Sequence, residues 1–157
     1  MEQPKYGYAR DSVSEFVQIL RKENMNGADR LFGGHLLVWM DEVSAVCARR
    51  YAKGPVTTAC IENVRFLCPA RLNQILIVTA KVIYTGRTSM EVLVRAEVEK
   101  DLDGARTLVS DARFILVALD ENERPRAILP LCPETDEERA LYEEARQRRG
   151  NKGVTPC

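Results

Sequence analysis

Asp41 is the residue whose setting most needs a chemical explanation. It sits in an apolar stretch from Leu36 to Ala48 that is otherwise broken only by Glu42 and Ser44. On a helix its face is shared by Leu37, Ser44, Ala45 and Ala48. An ionised carboxylate in such company costs several kcal/mol unless it is paired, hydrogen-bonded or protonated. The small residues one turn on leave room for another group. Two readings stand open. Asp41 is either an acid bonded to a neighbouring backbone or arginine, or a carboxylate that activates water or attacks a carbonyl. Glu42 points elsewhere, near His35, Val46 and Arg49, and reads as an ion-paired or solvent-facing acid.

Three further patterns could act with it. Gly33-Gly34 stands where the helical stretch begins. Backbone N–H groups there are bare, approachable and at the positive end of the helix dipole, which suits an oxyanion. The same pair also fits a plain loop-to-helix turn. Asn26, seven residues before Gly33, has an amide that could orient a carbonyl or water, or be an ordinary loop Asn. Gly86-Arg87-Thr88-Ser89 reads as a hairpin turn whose donors could meet a phosphate. His35 is the only histidine and lies beside Gly34 with no acid or Cys at an evident partner spacing, so a general-base role for it is not expected. A single imidazole also removes most zinc-hydrolase ligand sets, and no metal is expected.

Composition narrows the partners. Lys plus Arg and Asp plus Glu are each 23, a balance that argues against nucleic-acid or anionic-membrane binding. The five cysteines are odd in number and include no CxxC pair, which reads as reduced thiols in a cytoplasmic protein. The first ten residues have no apolar signal region, and no apolar run approaches the ~18 residues of a membrane span.

The elements that must position these groups follow from periodicity. Residues 1–12 read as a loosely held arm. Residues 13–20 alternate with period two and predict a strand. Residues 21–32 are a loop. The long apolar run after Gly33-Gly34 predicts a helix ending near Lys53-Gly54-Pro55, with apolar residues around most of its circumference, hence mostly enclosed. Segments 56–69, 74–86, 88–100 and 106–120 are rich in Val, Ile, Thr and Phe and predict four strands. In the third, Val92, Val94, Ala96 and Val98 oppose Glu91, Leu93, Arg95, Glu97 and Glu99. The short turns between them predict antiparallel neighbours in chain order. Residues 134–149 predict a C-terminal helix with Thr135 as N-cap and Glu138 three residues on, acidic first and basic last. The tail 150–157 reads as disordered. A helix enclosed on all sides needs a curved sheet around it, so residues 13–133 predict an α+β hotdog fold.

Taken in order, several motifs resemble those of the hotdog-fold acyl-CoA thioesterases. They are Asn26, Leu31-Phe32-Gly33-Gly34, Trp39-Met40-Asp41-Glu42, Val56-Thr57-Thr58, Val64-Arg65-Phe66 with Pro69, and Gly86-Arg87-Thr88-Ser89-Met90. More narrowly, the pattern is similar to the bacterial acyl-CoA hydrolase group related to the brain cytosolic acyl-CoA hydrolase. The match runs from about residue 13 to residue 130. The resemblance implies thioester hydrolysis to a carboxylic acid and coenzyme A, with no cofactor beyond the coenzyme A of the substrate. It places the catalytic acid on Asp41, the carbonyl-facing N–H on Gly33, a helper amide on Asn26 and a water-placing hydroxyl on Thr58, Thr57 being the less favoured choice. Gly34, Gly86, Arg87, Thr88 and Ser89 fall at substrate-binding positions, with Arg65 and Arg71 as weaker candidates for phosphate contacts and Trp39 or Met40 as acyl-chain walls. Two departures stand out. Asp29 replaces a glycine common in the family, and Asn73-Gln74 replaces its usual Gly-Asp turn.

Geometry adds one constraint. Eight helical residues rise about 12 Å, so one thioester carbonyl cannot touch both Gly33 and Asp41 of one straight helix. It can where two helices pack antiparallel across a two-fold axis, which predicts a homodimer with two shared sites. The family's subunits pair similarly and often gather into hexamers. Two alternatives remain. A hotdog hydratase or dehydratase would need a paired His. A non-hydrolytic acyl-CoA-binding module would not need Asp41.

Overall fold

The computed structural model describes residues 5–99 and 104–151, with only the backbone at Asn151. Chain order is β1 (Ser14–Ile19), α1 (Gly33–Ala52), β2 (Val56–Phe66), β3 (Ile75–Thr85), β4 (Ser89–Glu99), β5 (Arg106–Ala118) and α2 (Asp136–Asn151). The five strands form one antiparallel sheet, and α1 touches all five. Helix α2 packs on the opposite side, against β3. This is the hotdog architecture expected from the alternation and the long apolar helix.

The inner face of the sheet is the core. Val92 pairs with Phe114, Val94 with Ala112 and Met90 with Leu116, and all six side chains are buried. Residues directly opposite in an antiparallel pair share a face, so the period-two pattern of β4 recurs on β5. Leu36, Met40, Val43 and Cys47 of α1 close the core from above. Burial pushes the Cys47 thiol up to about 11, so it stays protonated. Cys47, Cys60, Cys68 and Cys132 are free thiols.

Strand order departs from the expectation of chain-order neighbours. The sheet runs β1-β3-β4-β5-β2, so β2 and β3 are separated by two strands. Residues 67–74 make this passage. Eight residues can span about 26 Å, whereas three strand spacings need about 14 Å. The segment was short but not a hairpin. Backbone bonds hold it on the way: Leu67 N–H donates to Val109 O (2.8 Å), Leu31 N–H to Ala70 O (2.9 Å) and Asn73 N–H to Leu20 O (2.9 Å). Asn73 takes φ 65°, the left-handed conformation that the family's glycine would supply. Asp29, at the other departure, takes φ 51° for the same reason.

Residues 5–12 are docked rather than loose. Gly7 N–H donates to Pro130 O (3.0 Å), Gly7 O accepts from Cys132 N–H (2.9 Å), and Ala9 and Ser12 are buried. Helix α2 begins as expected, with Glu138 N–H donating to Thr135 Oγ1 (3.1 Å). The Glu138 carboxylate reaches back to Glu134 N–H (2.8 Å), one residue before the cap. Gly150 and Asn151 continue α2, and the remainder of the expected tail lies outside the described residues.

Helix α1 is enclosed on only one side within a single chain. Val38 is 55% exposed and Val46 43%, and Glu42 and Arg49 share that open side. Its C-terminal end is closed by Lys53 in the left-handed conformation (φ 53°) and by Arg126, whose Nη2 donates to Ala52 O (2.6 Å). A cation there complements the helix dipole.

Candidate active site

The N-terminal end of α1 is stripped of the usual cap. Its N-cap is Phe32, which offers no side-chain acceptor. The first internal bond is Leu36 N–H to Phe32 O (3.2 Å), so the N–H groups of Gly33, Gly34 and His35 have no helical acceptor. The glycines are there for space. A Cβ on Gly34 would lie 2.4 Å from the Phe32 ring, and one on Gly33 would lie 3.3 Å from the Phe66 ring. Each ring takes the place that a side chain at the glycine would need.

Gly33 and Asn26 line one cavity of about 330 Å³, together with Arg30, Phe66, Cys68 and Ala70. Asn26 Oδ1 accepts from Ala28 N–H (2.9 Å) and Arg30 N–H (3.2 Å). Its oxygen is therefore committed to the loop, and the amide N–H₂ is the group left to donate. The cavity thus gathers donors from a loop and from a helix terminus, a setting for a carbonyl oxygen that gains charge.

Asp41 lies two turns further on and is half-buried. Thr58 donates from Oγ1 to Asp41 Oδ1 (2.8 Å). Ser44 Oγ donates to the Asp41 carbonyl (2.8 Å) and leaves the carboxylate alone. Among the described residues no Arg or Lys pairs with Asp41. The register explains why Thr58 and not Thr57 reaches it. Thr58 pairs with Leu116, whose side chain is buried on the helix-facing side, whereas Thr57 pairs with Val117 on the other. The irregularity between Thr58 and Cys60 then bends the strand beside this contact.

The hairpin residues Gly86, Arg87 and Thr88 with Ser89 line a separate cleft of about 440 Å³. Tyr84, Arg146, Arg149 and Gly150 complete it, the last three coming from α2. The basic last turn of α2 read only as a complement to the helix dipole, because nothing local places it over the β3–β4 hairpin.

Other candidates fall elsewhere. Arg65 is held bidentately by Asp111, and that guanidinium keeps the Asp111 carboxyl below the usual carboxylate range. Met40 is wholly buried in the core rather than lining a surface groove. Trp39 stacks on Phe16 at 5.5 Å, and His35 sits between Phe32 and Trp39 with its Nδ1 buried and unpaired. Arg71 is exposed away from the hairpin cleft. Among the described residues no group of three or more His, Cys, Asp or Glu is placed to hold a metal ion, and no helix is long and apolar enough to cross a membrane.

Comparison with known proteins gives these sites a context. The family model described as the thioesterase superfamily matches residues 29–105. An uncharacterized acyl-CoA thioester hydrolase of Bacillus subtilis is 30% identical over 148 residues, covering 94% of this chain and 86% of that one. The chain is 30% identical to the human cytosolic acyl coenzyme A thioester hydrolase over 139 residues, but spans only 37% of its length. Among solved structures, a hexameric acyl-CoA thioesterase in its apo form superimposes with a TM-score of 0.90 at 34% identity, covering 94% of this chain and 95% of that one. An acyl-CoA hydrolase from Staphylococcus aureus, solved with butyryl coenzyme A and coenzyme A, gives 0.87 at 30% identity, covering 92% and 88%. The chain belongs to the thioesterase superfamily, among its hotdog-fold acyl-CoA thioester hydrolases.

Proposed function

We propose that the protein hydrolyses acyl-CoA thioesters to a carboxylic acid and free coenzyme A, in sites shared across a two-fold dimer. The observation that carries this reading is the division of the machinery along α1. Uncapped N–H groups stand at one end, and a carboxylate held by Thr58 stands two turns on. One thioester cannot bridge them within one helix. Two antiparallel helices bring Gly33 of one protomer opposite Asp41 of its partner. The open side of α1, with exposed Val38 and Val46, is the surface such a pairing would cover.

In this reading the thioester oxygen accepts from Gly33 N–H and the Asn26 amide. Thr58 holds one carboxylate oxygen of Asp41 and leaves the other to act. As a base, Asp41 takes a proton from water as the water oxygen adds to the carbonyl carbon. The tetrahedral intermediate then collapses, breaks the C–S bond and expels the thiolate, which takes that proton. As a nucleophile, Asp41 adds to the carbon itself, and the C–S bond breaks with loss of the thiolate. Water then opens the anhydride at the Asp41 carboxyl carbon, so that its oxygen enters the protein and the acid leaves with an Asp41 oxygen. Both routes use the same groups. Single turnover in ¹⁸O-labelled water separates them, since only the base route puts the label directly into the product acid.

Further support comes from the S. aureus acyl-CoA hydrolase. It has been solved as Asn-to-Ala, Asp-to-Ala and Thr-to-Ala variants. The three altered positions are separated by the same intervals as Asn26, Asp41 and Thr58. Residues 13–133 form the catalytic unit, with 1–12 as an N-terminal arm and 134–149 as a C-terminal helix appended to it. Gly34 and the hairpin Gly86, Arg87, Thr88 and Ser89 meet the coenzyme A. The dimers assemble further into hexamers, as in the hexameric relative, and act in the cytoplasm without cofactor, nucleic acid or membrane insertion. Thiol release from a panel of acyl-CoA lengths tests the proposal. Wild type should release coenzyme A, and Asp41→Asn should lose about 10²–10⁴-fold in kcat while still binding coenzyme A. Equal, near-zero release from both proteins at every length would indicate a binding module instead.

A further inference from the structure

The cleft beside the β3–β4 hairpin is built by two distant parts of the chain. Three of its lining residues, Arg87, Arg146 and Arg149, are arginines, and no Asp or Glu lines it. The three are not equivalent. Arg146 is occupied by Glu143, with Nε to Oε2 at 2.8 Å and Nη2 to Oε1 at 2.7 Å. Arg87 is exposed, and its guanidinium has no partner among the described residues. Arg149 is fixed from several sides: Nη1 donates to Ser89 Oγ (3.1 Å), Nε to Glu91 Oε2 (3.3 Å), and the guanidinium lies 5.2 Å from the Tyr84 ring centroid. Its remaining nitrogen, Nη2, is buried with no partner. A desolvated donor left unpaired costs more than the average hydrogen bond contributes, so this nitrogen is suited to an incoming acceptor.

Behind Arg149 lies an anchor. Glu91 is wholly buried and faces three guanidinium groups: Arg148 Nη2 at 2.6 Å, Arg149 Nε at 3.3 Å and Arg113 Nε at 3.9 Å. Its charge is spent on these, so it offers little repulsion to an anion in front of Arg149. The anchor ties the last turn of α2 to β4 and sets Arg149 over the hairpin.

We infer that the last turn of α2 completes a phosphate site: Arg149, held by Glu91 and Ser89, acts with Arg87 to take a phosphate of the coenzyme A nucleotide. This rests on the hydrolase reading and adds to it. The site lets the enzyme distinguish a coenzyme A thioester from one carried on phosphate-free pantetheine. Arg149 acts on binding and not on the reacting carbonyl.

The experiment measures kcat and KM for one acyl chain on coenzyme A and on pantetheine. Arg149→Ala should raise KM for the coenzyme A thioester about 10–100-fold with kcat little changed, and leave KM for the pantetheine thioester unaltered. Arg87→Ala should act in the same direction. Arg149→Lys, which keeps the charge but loses the fork, should recover part of the loss. Arg139→Ala removes a cation at the exposed start of α2 and should change neither substrate. Thermal melting checks that each variant is folded. Folded Arg149→Ala and Arg87→Ala proteins that both keep the wild-type preference for coenzyme A would overturn the inference and leave the hydrolase reading standing. So would a wild type that uses both carriers equally well. If wild type hydrolysed neither, the hydrolase reading would fall. Calorimetry with coenzyme A alone would then still test the site, with binding lost in Arg149→Ala supporting it and binding kept overturning it.

Discussion

The first turn of α1 and its third turn belong to one helix but are built on opposite principles. At Gly33 the side chains withdraw. Phe32 provides no cap, and at both glycines an aromatic ring stands where a side chain would have to go. What this end offers a ligand is the peptide N–H groups themselves, the groups to which the proposed mechanism assigns the carbonyl oxygen. At Asp41 the backbone is saturated, and what the helix offers is one carboxylate side chain held by Thr58 from β2, on which the proposed mechanism rests. The first region depends on what is missing, and any side chain added there would fill it. The second depends on an exact partner, and only a hydroxyl on the helix-facing side of the strand supplies it. An enzyme that polarises a carbonyl and also activates water needs both, and a single helix keeps them about 12 Å apart.

The comparison can be broken most sharply at Gly33. Gly33→Pro deletes the N–H at a first-turn position where proline is tolerated, and Phe32 already has the extended backbone (φ −66°, ψ 123°) that precedes proline well. Turnover should fall about 10²–10³-fold, the cost of one lost oxyanion donor, and further than in Gly33→Ala, which places the same Cβ against the Phe66 ring but keeps the N–H. Unchanged kcat in Gly33→Pro would remove Gly33 from the mechanism. At the other region Thr58→Ala should lower kcat about tenfold, one hydrogen bond to a charged group, and Thr58→Ser should restore most of it. If Ser did not rescue, the threonine would matter for packing and not for the hydroxyl.

The shared-site arrangement gives a smaller but more specific signal. Mixed and reassembled, Asp41→Asn and Gly33→Pro chains should recover about a quarter of wild-type turnover, since half the dimers are hybrids and each holds one intact site. Hybrids shown by mass spectrometry to form yet remaining inactive would mean that each chain carries its own site. The smallest effect lies at the far end of the same helix. Lys53→Gly should raise stability by about 0.5–1 kcal/mol in urea unfolding, because glycine adopts the left-handed conformation without strain, and kcat should not move.

How much of this was legible differs from element to element. The four long strands and α1 could be read because alternation and a long apolar run are local patterns. Asn73 and Asp29 could be read as turn residues because both tolerate a positive φ. Asp41 stood out because a carboxylate in an apolar run is costly wherever the chain goes. The crossing from β2 to β3 could not be read, since eight connecting residues suit either a hairpin loop or a passage over two strands. Nor could the docking of residues 5–12, which depends on backbone bonds to Pro130 and Cys132 more than a hundred residues away.

By itself the amino-acid sequence determined which segments are helix and strand, which faces are apolar, and that Asp41 and the Gly33 amide lie too far apart for one carbonyl. These follow from periodicity and helical rise, which involve only near neighbours. Tertiary structure alone decided that Thr58 and not Thr57 meets Asp41, that the arginines of α2 lie over the β3–β4 hairpin, and that one side of α1 is left open. Each of these depends on register or on packing between segments far apart in the chain, where many pairings satisfy the same local pattern and only the folded arrangement selects one.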